Sequence, residues 1–198
     1  MKPLLVLLLV VWSVAGRAQE TPFKNVQNPM VIQTANGEDY LTEEEKLVFA
    51  YLNLARTEPA YFADSVLKTY EGAPRMDNSY LKNSPYVTSL YNQLKTMKPL
   101  PPLRPSKSLY TSAKCYAEFT GKTGRTGHDR TGTDCTFEQA ECCSYGLSRA
   151  VDIVMQLLID KNVESLGHRK ICLGPYTTMG LSIQPHKEYK YTAVLQFK

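Results

Sequence analysis

Two of the chain's three histidines occur in similar short settings. His128 lies in "RTGHDRTGT" and His168 in "ESLGHRKICLGP", each after a glycine and one or two residues before an arginine. A neutral imidazole can ligate a divalent metal or move a proton, and a carboxylate on its other nitrogen fixes its tautomer. Two acids stand out as partners: Glu141 heads "ECCSYG", and Asp160 ends an apolar helical stretch. These four residues span forty positions without a compact metal motif. Residue types alone therefore leave two readings open. They are turn and helix-end residues with local hydrogen bonds, or they meet as one site.

The elements that must position them follow from periodicity. Thr42 and Glu45 form a capping box, and Leu47, Val48, Tyr51, Leu52 and Ala55 follow at helical spacing. A second short helix is expected over residues 60–69. Ser84 followed by Pro85 starts another, with Val87, Leu90, Tyr91, Leu94 and Met97 on one face. "KPLPPLRP" stops it. Ser106 caps a helix whose inner face carries Leu109, Ala113, Tyr116, Ala117 and Thr120. The Gly- and Thr-rich "GKTGRTGHDRTGTDC" reads as a loop. Its "GKT" is not a phosphate loop, because Tyr116 stands where that motif needs glycine and the triplet follows a helix. Residues 149–160 read as a helix. Alternation at Met179, Leu181 and Ile183, then at Tyr189, Tyr191, Ala193 and Leu195, predicts a terminal hairpin around "QPHKE", which places His186 in its turn. Helices followed by paired strands make an α+β domain.

The start of the chain reads as an export signal: Lys2, an apolar run from Leu4 to Val11, and small residues Gly16 and Ala18, with cleavage expected after Ala18. The run is short for a membrane span, which needs about 20 residues, and no later segment is apolar enough. Residues 1–18 are thus expected as signal peptide, 19–40 as an extended lead-in and 41–198 as the domain. A secreted or periplasmic location follows. With Lys2 and Arg17 set aside, 21 basic and 19 acidic residues remain, too balanced to indicate a nucleic-acid partner. Five cysteines remain, so at least one lacks an internal partner. In an oxidising compartment Cys135 is expected to bridge Cys142 or Cys143 across a short loop. Cys115 is expected as a buried thiol, as is Cys172 unless it is half of a disulfide. Arg169 is expected to be solvated, or else to pair with an acid.

The order of these features resembles the CAP superfamily of cysteine-rich secretory, antigen 5 and pathogenesis-related proteins, in its bacterial form. "LVFAYLNLARTEPA" is similar to the family's first helix, with its "N-x-A-R" set at Asn53, Ala55 and Arg56. "PLPPLRPSKSLYTSAKCYAEFT" resembles the second signature, "TGHD" the first histidine motif, and "DIVMQLLIDKNVESLGHRKICLGPYTTMGLSI" the helix, second histidine motif and following strand. The resemblance covers residues 41 to 198. It implies a three-layer α-β-α sandwich and a cavity lined by two histidines and two acids, matching His128, His168, Glu141 and Asp160. Two departures stand out. Glu141 lacks the family's Gly and Asn neighbours, and Asp160 is shorter than the usual glutamate.

Two histidines on separate loops, with carboxylates oriented against them, suit a divalent metal with open positions, zinc first, held by His128, His168 and Glu141. Two classes of function follow. One is a binding protein whose cleft takes a lipid, peptide or cell-surface ligand; the other is a metal-dependent peptidase or esterase using the same cleft. No serine or cysteine stands in a recognisable nucleophile motif, which favours the first.

Overall fold

The computed structural model describes residues 22–74 and 76–198; the expected signal segment and its cleavage point lie outside them. In chain order the elements are α1 (Pro29–Ile32), α2 (Glu43–Thr57), α3 (Pro59–Phe62) continuing into a π-type turn (Ala63–Leu67), α4 (Pro85–Thr96), β1 (Arg104–Pro105), α5 (Lys107–Thr123), β2 (Ala140–Tyr145), α6 (Ala150–Ile159), α7 (Gly167–Cys172), β3 (Thr178–His186) and β4 (Lys190–Phe197). No helix among the described residues is long and apolar enough to cross a membrane.

The four strands form one sheet in the order β1-β3-β4-β2. β1 runs parallel to β3, while β3–β4 and β4–β2 are antiparallel. Alternation along each strand divides the core. On one face Cys143 and Val194 meet Ala113, Tyr116 and Ala117 of α5. On the other, Met179, Leu181, Leu195, Phe197 and Cys142 join the apolar residues of α2, α4 and α6. Helices on both faces of a mixed sheet give the expected α+β sandwich. α5 lies hard against β3 because Gly180 has no side chain: a Cβ there would sit 2.0 Å from the Tyr110 amide nitrogen.

The capping box of α2 is formed in full, with Thr42 N donating to Glu45 Oε2 at 2.8 Å and Glu45 N to Thr42 Oγ1 at 3.3 Å. The other Glu45 oxygen accepts from Ile183 N at 2.8 Å, so a helix cap also pins a strand. The "N-x-A-R" set is structural. Asn53 Oδ1 accepts from Leu103 N at 2.7 Å, and Nδ2 donates back to Leu103 O at 3.0 Å. Buried Arg56 donates to the carbonyls of Pro101, Cys172, Gly174 and Tyr176, tying the end of α2 to the loop after α7.

Four expectations are corrected. The described part of the 19–40 segment is not extended: it forms α1, buries Ile32 and Ala35, and anchors Thr34 Oγ1 on Leu103 O at 2.7 Å. The disulfide is Cys115–Cys135, while Cys142, Cys143 and Cys172 are buried thiols. Cys135 packs beside α5, Cys142 points to the opposite face of the sheet, and exposed Cys115 lies off the inner face of α5, free to reach the returning loop. Arg169 is buried. Finally, His186 ends β3 and is buried, because the strand runs through "QPH" before turning.

Candidate histidine–acid site

Glu141 is positioned by β2, the outer strand of the sheet. It stands opposite Gln196 of β4, whose Nε2 donates to Glu141 Oε2 at 3.0 Å. The loop 124–139, which leaves α5 through left-handed Gly124, brings Arg130 and His128 over it. Arg130 grips both carboxylate oxygens, with its guanidinium 4.0 Å above the Tyr116 ring centre and 5.0 Å from that of Phe137. His128 Nδ1 lies 2.9 Å from Glu141 Oε1. Burial alone pushes the Glu141 carboxyl upward, but the bonds from His128, Arg130 and Gln196 and the Arg130 charge outweigh it and hold the group below its ordinary value. The carboxylate is therefore an acceptor, so His128 carries its proton on Nδ1.

The loop is fastened on both sides of His128. Tyr116 OH shares its one proton between Gly127 O at 3.0 Å and Asp129 O at 3.1 Å, and Gly127 N donates to Tyr145 OH at 2.8 Å. The disulfide holds the loop's far end to α5. His186 holds its near end: Nε2 donates to Arg125 O at 2.9 Å, while Nδ1 accepts from the amides of Glu188 and Tyr189.

The second pair is built locally. Asp160 caps the end of α6 in the left-handed conformation, at φ +54°. Its Oδ2 accepts from His168 N at 3.0 Å and Arg169 N at 3.3 Å, and its Oδ1 lies 2.8 Å from His168 Nδ1. Arg169 turns inward, donating to the last carbonyls of α6 (Leu158 O at 2.6 Å, Ile159 O at 2.9 Å) and to Tyr86 O and Ser89 Oγ of α4. This guanidinium supplies partners for helix-end carbonyls that have none within the helix.

The structure thus brings the four predicted residues together as two pairs, His128–Glu141 and His168–Asp160. The pairs are linked through β2. Cys142, next to Glu141 and pointing to the other face, places its Sγ 3.8 Å from His168 O. In both pairs Nδ1 faces a buried acid, and no described protein group bonds Nε2 of either ring. Among the described residues, one group of three potential metal ligands lies within 4.8 Å: His128, Glu141 and Cys143. His168 is not in it. The sequence reading missed Cys143, Arg130 and Gln196. Cys143 is two residues from Glu141, a spacing that puts strand residues on one face, while Arg130 lies in the loop two residues after His128. A cleft of about 870 Å³, bordered by Tyr51, Val66, Tyr70 and Arg149, contains none of the four.

Residues 88–197 match the family model of CAP, the cysteine-rich secretory protein family. No curated protein matches the chain. Among solved structures, an outer surface protein from Borrelia burgdorferi is similar at 21% identity and TM-score 0.40, over 50% of this chain and 77% of that one.

Proposed function

Starting from the premise that the chain belongs to the cysteine-rich secretory protein (CAP) family, we propose that it is an extracytoplasmic binding protein. Its ligand site is a metal-bearing surface at the outer edge of β2. The observation that carries this reading is the shared orientation of the two histidines. Each gives Nδ1 to a buried acid and leaves Nε2 free, the arrangement that prepares an imidazole to ligate a metal. His128 belongs to the α5 face of the sheet and His168 to the other. Because β2 is an outer strand, its free edge is where side chains from both faces can approach one ion. Zinc fits two imidazoles and leaves open positions for a ligand atom. In this assignment Glu141 and Asp160 orient and do not ligate.

That division of labour favours binding over turnover. Glu141 is engaged by Arg130, Gln196 and His128, and Asp160 by two amides and His168, contacts that suit orienting a histidine better than activating water. A lipid, peptide or cell-envelope ligand presenting an oxygen to the ion is the class that fits. The bound metal would supply Lewis acidity toward that oxygen.

Zinc calorimetry on the mature chain tests the reading. His128→Ala and His168→Ala should each lower affinity at least tenfold. Equal affinity in wild type and both variants would show that the histidines are ordinary loop residues. Hydrolysis of a peptide or ester panel, lost in His128→Ala, would move the protein to the enzyme class.

A further inference from the structure

His128 has two nitrogens, and the function proposed above uses only Nε2 as a metal ligand. On the Nδ1 side the structure holds a third candidate donor that the family pattern does not call for. Cys143 stands two residues after Glu141 on the same face of β2, buried, with its Sγ 3.8 Å from His128 Nδ1 and 3.8 Å from Glu141 Oε1. The remaining side of this triangle, Nδ1 to Oε1, is 2.9 Å. Tetrahedral bond lengths of about 2.0–2.1 Å to nitrogen or oxygen and about 2.3 Å to sulfur imply donor separations of about 3.3 Å and 3.6 Å. The three observed separations bracket those values, so a few tenths of an ångström of side-chain movement would close the site around an ion.

We propose that His128 Nδ1, Glu141 Oε1 and Cys143 Sγ form a thiophilic metal site, an alternative use of His128 to the site built on the two Nε2 atoms, because a neutral ring bound through Nδ1 carries its proton on Nε2. Two features of the surroundings permit it. Arg130 and Gln196 converge on Glu141 Oε2, while the Arg130 contact to Oε1, at 3.3 Å, is longer. One carboxylate oxygen can therefore pass to a metal without releasing the clamp. His128 is half-exposed, with 52% of its side chain accessible, so a fourth ligand can come from solvent and the ring proton can move to Nε2. The balance of the step is simple: the Cys143 thiol loses H⁺ to solvent, the M²⁺ ion gains S⁻, the imidazole stays neutral by changing tautomer, and nothing is oxidised. Cys143 and Glu141 then carry two negative charges against Arg130 and a dication. Thiolate in the donor set selects zinc-like and softer ions over magnesium or calcium.

The proposal depends on His128 but not on His168, which separates its failure from that of the zinc reading above. Co²⁺ titration of the mature chain, followed by thiolate-to-cobalt charge-transfer absorption, is the test. The band should appear in wild type, persist in His168→Ala and Cys172→Ala, and vanish in His128→Ala and Cys143→Ser. Circular dichroism checks the fold, with Cys143→Ala as the second variant at that position. No band in wild type overturns the proposal. So does a band that survives in either Cys143 variant or disappears in Cys172→Ala, because the sulfur would then be another thiol.

Discussion

The two histidine–acid pairs share one geometry and are built in opposite ways. His168 and Asp160 are eight residues apart, joined by the turn between α6 and α7, and the acid is held by two backbone amides of the helix it orients. His128 and Glu141 are thirteen apart, and apart from Arg130 of the same loop the pair is supported from distant elements: β4 through Gln196, α5 through Tyr116 and the disulfide, and β3 through His186. A local pair should form wherever its turn forms. A long-range pair exists only once the sheet is assembled, so it should be the more sensitive to distant change.

Matched substitutions can break this comparison. The largest effect is expected for Glu141→Gln, which leaves the Arg130 guanidinium against a neutral amide and turns two donors toward Gln196. Removing one partner of a buried pair costs about 3 kcal/mol or more. Chemical denaturation should show the loss, and His128 resonances should broaden while those of His168 hold. Cys115→Ser with Cys135→Ser comes next. Releasing a closed loop of this size costs about 3 kcal/mol through the unfolded chain, and exchange of the loop 124–139 amides should rise selectively. An equal rise around Asp160 would mean that the two pairs are not independently built.

Asp160→Asn should cost less, about 1–2 kcal/mol, because asparagine tolerates the left-handed conformation and keeps one acceptor oxygen. A loss equal to that of Glu141→Gln would overturn the distinction between local and long-range pairs. The smallest expected effect is that of His186→Ala, about 1 kcal/mol for hydrogen bonds lost at the foot of the loop. That variant sharpens the comparison, since it should loosen Arg125 and His128 with no change at His168.

Much of the scaffold was legible before any coordinates. The capping box, the inner face of α5, the helix before Asp160 and the terminal hairpin all rest on spacing within one element. β2 gave no such signal. Its first five residues are buried whichever face they occupy, so no polar–apolar alternation marks it. The disulfide partner was misassigned for a related reason. Nearness along the chain favours Cys142 or Cys143 for Cys135, but the pleat directs one to the far face and the other toward Glu141.

Residue order by itself determined which side chains were available for chemistry and which local elements carry them, because caps, turns and amphipathic periods are settled within about ten residues. Only the tertiary structure decided how those side chains are used. Register across β4 set Gln196 against Glu141, loop closure brought Arg130 and His128 over the same carboxylate, and the end of α6 drew Arg169 out of solvent. These are contacts between residues up to fifty-five positions apart in the chain. Their energies come from desolvated charges and unmet backbone groups that exist only after the layers have packed.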